Sequence, residues 1–223
     1  MRFVWHDAML VAGKDLRIEA RTRVLLWQVL PFGVLALLLF ALALGPSDAA
    51  LSRGAPAMLW LALLFASVLA TTRSSGIEAT EGTRSTVRLL GLDPGGVFVG
   101  KALALAIQLF ALGAILEVGL LVLFHVDGAR LGLATPLCLC AVVALAAVGT
   151  LYGALVAGTD VAGTLLPLLV LPALAPVLIA GEKGTAAVLG GGGPGRWAIV
   201  LVVMAVAYGG VGVLLYGALE EPG

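Results

Sequence analysis

The stretch that decides the fold is VLLWQVLPFGVLALLLFALAL, residues 24–44. It holds no charged residue, and a helix of about 20 apolar residues crosses the hydrocarbon core of a bilayer. The apolar region of a cleaved signal peptide is shorter than this, and residues 1–23, which precede it, are rich in charge. We therefore expect an uncleaved first membrane span.

The composition of the whole chain agrees with this class. Of 223 residues, 61% are hydrophobic and 12% are charged, and the mean hydropathy is +1.12. A water-soluble domain of this length needs far more polar surface. The composition therefore excludes a soluble enzyme or a nucleic-acid-binding domain and indicates a polytopic helical membrane protein.

Five further apolar runs have the length of a span. They lie at 53–71, 97–124, 132–157, 161–180 and 197–217. The predicted fold class is all-α, with six transmembrane helices in a single domain, 1–223, whose short tail is 218–223. The division between the fourth and fifth spans depends on the turn Gly158, Thr159 and Asp160; without it there would be five spans, and the C-terminus would change sides.

The basic residues predict the orientation, because cytoplasmic loops carry more Lys and Arg. Nine lie on one side: Arg2, Lys14, Arg17, Arg21, Arg23, Arg73, Arg84, Arg88 and Lys101. Four lie on the other: Arg53, Arg130, Lys183 and Arg196. We expect both termini and the loop 72–96 in the cytoplasm.

The segments outside the spans are too short for a further domain. The exterior loops near 45–52, 125–131 and 181–196 cannot form a receptor domain, and no G-x-x-x-x-G-K-[ST] motif occurs. The glycine-rich run GGGGPGRW, residues 190–197, lacks the Lys-Ser/Thr of a phosphate-binding loop and is interpreted as a flexible connection. Any nucleotide hydrolysis must therefore come from a separate protein.

The N-terminal segment 1–23 mixes apolar and charged residues in a helical pattern. It predicts an amphipathic interfacial helix that lies in the headgroup plane, with its basic residues toward anionic lipid. The alternative is a short positively charged leader that only sets the topology.

A charged pattern interrupts the apolar chain at EATEGTRSTVRLLGLDPGGVFVGK, residues 78–101. Glu78, Glu81, Arg84 and Arg88 recur at steps of three or four, which places them on one stripe of a helix. We expect GLDPGG, residues 91–96, to end this helix. A short helix parallel to the membrane could pass a push from a soluble partner into spans two and three; the alternative is a solvated loop.

Glu117 is the acidic residue that lies well inside a span. An ionisable group at that depth is costly unless it faces protein or water, so it is a functional candidate. Gln108 lies nine residues earlier, on the opposite side of the helix, so the two do not form a polar file. A functional role and a structural hydrogen bond within the bundle both remain open for Glu117.

Small residues and prolines mark the next two spans. The small residues of the fourth span recur at steps of three and four and allow close helix packing, within the subunit or across a dimer; they are Ala146, Gly149, Gly153 and Ala157. The prolines of the fifth span interrupt its hydrogen bonds and predict a bent or broken helix; they are Pro167, Pro172 and Pro176.

Other reactive residue types form no constellation. Cys138 and Cys140 lie two residues apart in an apolar run and are interpreted as inert thiols. His6 and His125 are isolated at the two aqueous boundaries. No nucleophile–base pair, paired carboxylates or zinc pattern occurs, so we expect neither a catalytic site nor a metal site.

Three stretches together resemble one family. EGTRSTVRLLGLDPGGVFVGKALA, residues 81–104, is similar to the coupling loop of ABC-2-type permeases. The matching positions are Glu81, Gly82, Thr83, Leu89, Leu90, Gly100 and Lys101. GTLYGALVAGTDVAGTLLPLLVLPALAPVLIAG, residues 149–181, resembles the haem exporter protein B family, the permease of cytochrome c maturation. The N-terminal charged segment resembles the opening of the same family.

The resemblance implies a bacterial inner-membrane complex. It would contain two copies of the permease, two ABC ATPase subunits that bind ATP and Mg²⁺, a haem-handling membrane subunit and a small accessory membrane subunit. Haem would be a substrate of the complex, delivered to a periplasmic haem chaperone; the sequence holds no pair of haem ligands, so this chain is expected to bind no cofactor and to act chiefly by transmitting force. The helix 78–90 would be the coupling helix in the ATPase groove, with Glu78, Glu81, Gly82, Thr83, Arg84, Arg88, Leu89 and Leu90 as partner-binding residues.

The chain departs from the family pattern at two places. Gly91 stands where a proline often follows the Leu-Leu pair, and arginines are missing around Asp160 and Ala162. Two rival functions are left open: an ABC-2 permease for a drug, lipid or glycan, and a non-transporting membrane scaffold. Co-purifying subunits would distinguish the first, and charge reversal at Arg84 and Arg88 the second.

Overall fold

The computed structural model describes residues 2–23, 25–45, 47–80, 91–156 and 162–220. All regular structure in these ranges is helical. The helices are α1 (Arg2–Thr22), α2 (Leu30–Leu44), α3 (Asp48–Thr80), α4 (Pro94–Leu123), α5 (Gly128–Val156), α6 (Ala162–Leu189) and α7 (Gly195–Glu220), with a π-helical turn at Leu25–Val29 before α2.

Six of these helices, α2 to α7, are long and apolar enough to cross a membrane. The predicted all-α fold with six spans is therefore confirmed. The turn 158–160, on which the prediction of six spans depended, lies outside the described residues.

The central helix of the bundle is α5, which packs against α3, α4, α6 and α7. Its small residues allow this, because Ala141, Ala144, Ala146 and Gly149 are buried between the neighbouring helices. The core continues along α4 through Leu109, Leu112, Leu116 and Leu120, each 0% exposed. Because packing within a membrane depends on close contact between helices, this small-residue helix is well suited to the centre.

The outer helices turn apolar side chains away from the protein. Trp27 in the π-helical turn and Leu42 on α2 are each 69% exposed, and on α7 Leu214 is 81% exposed. Apolar exposure over whole helices is typical of a surface that faces lipid rather than water.

The helix α1 lies against the start of α4. Ala8, Val11 and Ala12 form its buried face, whereas Trp5 and Met9 are exposed. The helix that the sequence predicts over 1–23 is therefore present; its depth in a bilayer stays a prediction.

Several helices are longer than the predicted spans. α3 continues to Thr80, into the segment that was predicted as a loop, and α6 continues to Leu189 instead of ending at 180. Hydropathy detects only the part of a helix that lies in hydrocarbon, whereas the backbone hydrogen bonds can continue into the headgroup region.

The segment 91–96 contains the start of α4, at Asp93 and Pro94. The helix that the sequence predicts to end at this segment lies mostly outside the described residues, so its end stays a prediction. Proline is favourable at the first helical position, where its missing N–H would have no partner in any case.

Candidate functional site

The first turn of α4 is capped by the residue that precedes it. Asp93 has extended backbone angles, and its Oδ1 accepts a hydrogen bond from the N–H of Gly96 at 2.9 Å. Pro94 follows directly and sets the helical φ angle. The N-terminus of α4 is thus fixed at the point where the chain leaves the segment 81–90.

A second carboxylate ties α1 to the same point. Asp7 is 8% exposed, and its Oδ2 accepts a hydrogen bond from the backbone N–H of Asp93 at 3.0 Å. A negative group at the N-terminus of a helix is also favoured by the helix dipole. The carboxylate of Asp7 therefore connects α1 to the start of α4.

Two glycines let the backbones of α1 and α4 come close together. A Cβ atom at Gly96 would lie 2.9 Å from the carbonyl oxygen of Val4, and one at Gly100 would lie 2.6 Å from that of Ala8. No larger residue fits at these positions without moving α1. We call Asp7, Asp93, Gly96 and Gly100 the Asp7 junction.

An aromatic contact joins α7 to the Asp7 junction. The rings of Phe98 and Tyr216 lie 5.6 Å apart, and the Phe98 ring packs on Gly212. The ammonium group of Lys101 lies 5.9 Å from the centre of the Tyr216 ring. Helices α1, α4 and α7 therefore meet at one end of the bundle, which we call the Asp7 end.

The predicted coupling helix adjoins this end in the sequence. Glu78 lies in the last turn of α3, whereas Glu81, Gly82, Thr83, Arg84, Arg88, Leu89 and Leu90 lie outside the described residues. The described residues resume at Gly91, two residues before Asp93. The Asp7 junction is therefore the part of the described structure that follows the segment 81–90 directly in the sequence.

Glu117 has a partner in the neighbouring helix. Its half-buried carboxyl group on α4 lies beside the thiol of Cys138 on α5. Both interpretations of Glu117, a functional group and a structural contact within the bundle, stay predictions. Cys138 and Cys140 are both free thiols, and Cys138 is buried.

The small residues of α5 pack inside the chain. Ala146, Gly149 and Gly153 are buried, and a Cβ atom at Gly149 would lie 2.5 Å from Oγ1 of Thr71 on α3. Ala157 lies outside the described residues. Of the two interpretations of this ridge, the described contacts support packing within the subunit.

The three prolines of the fifth span lie within one continuous helix. Pro167, Pro172 and Pro176 all lie inside α6, which runs unbroken from Ala162 to Leu189. The described α6 is therefore not broken, and a bend at these prolines stays a prediction.

Sequence reasoning missed the Asp7 junction. Asp7 and Asp93 are 86 positions apart, so no local pattern pairs them. The signal for the helix start was nevertheless present, because Asp followed by Pro is a frequent beginning of a helix.

The described part of the chain is a polytopic membrane protein, with six long apolar helices and the helix α1 packed against α4. Within it, no group of three His, Cys, Asp or Glu side chains could hold a metal ion.

The sequence matches the family model described as "CcmB protein" over residues 7–218. The chain therefore belongs to this family. The Heme exporter protein B of Rhodobacter capsulatus is 33% identical over 182 residues, which cover 77% of this chain and 78% of the relative. That of Paracoccus denitrificans is 28% identical over 209 residues, covering 87% and 89%.

Proposed function

We propose that this chain is the transmembrane permease subunit of an ABC transporter that exports haem for c-type cytochrome biogenesis. The observation that carries the proposal is the family match over residues 7–218, together with two relatives named as haem exporters. The chain itself is not the enzyme of this complex, and ATP and Mg²⁺ bind the ATPase subunits.

The proposed complex contains two permease copies, two ATPase subunits, a haem-handling membrane subunit and a small accessory subunit. It delivers haem to a periplasmic haem chaperone. In the sequence, nine basic residues lie before the first span, in the loop 72–96 or at Lys101, and four lie in the other loops; this difference supports cytoplasmic termini in a bacterial inner membrane.

The Asp7 junction supports a mechanism of coupling. The ATPase binds the segment 78–90 and displaces it when ATP binds to the ATPase. Because Asp93 holds the N-terminus of α4 and also bonds to Asp7, this displacement moves α4 and α1 together. The contact between Phe98 and Tyr216 extends the same movement to α7.

The test reverses two charges of the coupling segment. We expect the double variant Arg84→Glu, Arg88→Glu to lose co-purification of the ATPase subunit and to lose holo-cytochrome c. The matched control is Arg84→Lys, Arg88→Lys, which retains both charges and should retain both properties. Membrane levels of the variants are compared by immunoblot.

Two outcomes would contradict the proposal. If the charge-reversed chain keeps the ATPase and still supports holo-cytochrome c, the segment 78–90 does not couple the two proteins. If the parent chain co-purifies with an ATPase but never supports holo-cytochrome c in a strain lacking its own permease, the substrate is not haem.

A further inference from the structure

A cavity of about 450 Å³ opens at the end of the bundle opposite the Asp7 end, which we call the His125 end. It lies between the start of α3, the α4–α5 connection, the start of α5 and the end of α6. Pro56, Val126 and Leu189 provide apolar walls, and Arg53, Arg130 and His125 provide polar groups. Apolar walls with a few convergent polar groups are typical of a small-molecule site.

Both arginines are held at the cavity by bonds to backbone oxygens. Nε of Arg53 donates to the carbonyl oxygen of Ala49 at 2.8 Å. NH1 of Arg130 donates to the carbonyl oxygen of Leu189 at 2.8 Å, and its Nε lies 3.6 Å from Oδ2 of Asp127. Each bond engages one part of a guanidinium group that carries five N–H donors. Guanidinium groups held in this way are suited to carboxylates.

His125 is turned by its backbone and faced by a carboxylate. Its φ angle is 51°, in the left-handed region, and its side chain is 70% exposed. Nδ1 faces Oδ1 of Asp48 at 3.9 Å, which is beyond hydrogen-bond distance, and Nε2 is the ring nitrogen on the other side of the imidazole. An exposed imidazole nitrogen that no carboxylate faces is available to a metal.

We infer that this cavity is a docking site for haem on the exporting face of the protein. Arg53 and Arg130 bind the propionate groups, Nε2 of His125 coordinates the iron, and the apolar walls hold one edge of the macrocycle. Asp48 and Asp127 balance part of the positive charge. This inference rests on the proposed function. A ligand that engages both arginines and His125 must carry two carboxylates and a metal, and haem has both.

The experiment uses the full chain in nanodiscs, titrated with haemin and, separately, with metal-free protoporphyrin IX. The Soret absorbance and the tryptophan fluorescence report binding, and empty nanodiscs correct for partition into lipid. The variants are His125→Asn, which keeps a residue that tolerates left-handed backbone angles, and Arg53→Gln. The matched controls are His6→Asn and Arg196→Gln.

We expect His125→Asn to shift the Soret maximum and weaken haemin binding about tenfold, while protoporphyrin IX binding stays within about twofold. Arg53→Gln should weaken both ligands about tenfold, because each loses a charge-assisted hydrogen bond. Neither control should change either affinity.

The inference is overturned if His125→Asn leaves the Soret band unchanged, if Arg196→Gln acts like Arg53→Gln, or if haemin binds the chain no better than empty nanodiscs. The yield of holo-cytochrome c distinguishes failure of this inference from failure of the proposed function. A chain that supports cytochrome c maturation without binding haemin at this cavity refutes the inference alone.

Discussion

Asp7 is a carboxylate buried on a helix whose other buried side chains are small and apolar, Ala8, Val11 and Ala12. Burial of a polar group is costly unless it finds a partner. Here the partner is a backbone N–H, that of Asp93, which lies before the first turn of α4 and cannot bond within that helix. At the residue scale, the position of α1 therefore depends on one hydrogen bond between distant parts of the chain.

We expect Asp7→Ala to leave the N–H of Asp93 without its partner and to lower the free energy of unfolding by about 1–3 kcal/mol. Thermal unfolding in detergent measures the change, and limited proteolysis within α1 reports its detachment. Asp15→Ala is the control, because Asp15 pairs at 2.9 Å with the partly exposed Lys14 on the same helix. Exposed pairs of this kind contribute about 0–1 kcal/mol. Equal effects of the two substitutions would refute the role of Asp7.

The residues of this site differ in how far they could be predicted. The start of α4 at Asp93 and Pro94 follows local rules and was open to prediction. The contacts of Gly96 and Gly100 with Val4 and Ala8 depend on the tertiary fold, because a glycine in a helix is equally compatible with a position that faces lipid. Hydropathy carries no information on which helix lies opposite.

At the element scale, α3 and α6 are joined by a buried hydrogen bond. Nε1 of Trp60 donates to Oγ1 of Thr185 at 3.0 Å, and a Cβ atom at Gly181 would lie 2.6 Å from the indole ring. The close approach and the bond both lie beyond the three prolines of α6, towards the His125 end. They fix the second half of α6 whether or not the first half bends.

A double-mutant cycle tests this contact. Trp60→Phe alone leaves the hydroxyl of Thr185 without its partner, and Thr185→Val alone does the same to the indole N–H. We expect the double variant to be less destabilised than the sum of the two single variants, with a coupling of about 1 kcal/mol from unfolding measurements. Strictly additive effects would show that the bond contributes nothing to the packing of the two helices.

Apolar runs predicted the six membrane helices because a run of about 20 apolar residues has the length of a membrane-spanning helix, which satisfies its own backbone groups in hydrocarbon. The ends were less accurate, as α3 shows by continuing to Thr80 through Arg73 and Glu78. A helix can carry charged side chains in the headgroup region. These side chains lower the mean hydropathy of the segment but do not end the helix. The central place of α5 was not predicted, since it depends on which faces of five helices fit together.

At the scale of the whole molecule, the two ends of the bundle are held in different ways. The Asp7 end is joined by backbone contacts at glycines and by aromatic packing, which leave little room for relative movement. The His125 end contains an open cavity. The elements around it are joined by side-chain contacts, such as the hydrogen bond from Arg130 to the carbonyl oxygen of Leu189. We expect α1, α4 and α7 to move as a unit at the Asp7 end, with the change of shape taken up at the His125 end.

The orientation of these ends is tested by cysteine labelling in spheroplasts. We expect Gly193→Cys, at the exposed α6–α7 connection, to react with a membrane-impermeant maleimide from outside. Ala20→Cys, exposed on α1, should react only after the membrane is disrupted. The parent chain, whose thiols lie within a span, is the control. Labelling of Ala20→Cys in intact spheroplasts would reverse the predicted orientation and contradict the proposed contact of residues 78–90 with an ATPase.

The π-helical turn at Leu25–Val29 has a consequence for chain length. Such a turn is an α-helix with one residue too many, so its winding could be made regular by deleting a single amino acid. If the same residues were instead wound as regular α-helix without the deletion, everything after them would rotate by about 100° and advance by about 1.5 Å. The buried place of Leu37 would then pass to Ala36, and the first span would present a different stripe to its neighbours. The π-helical turn thus absorbs the surplus residue and keeps Leu37 on the buried side.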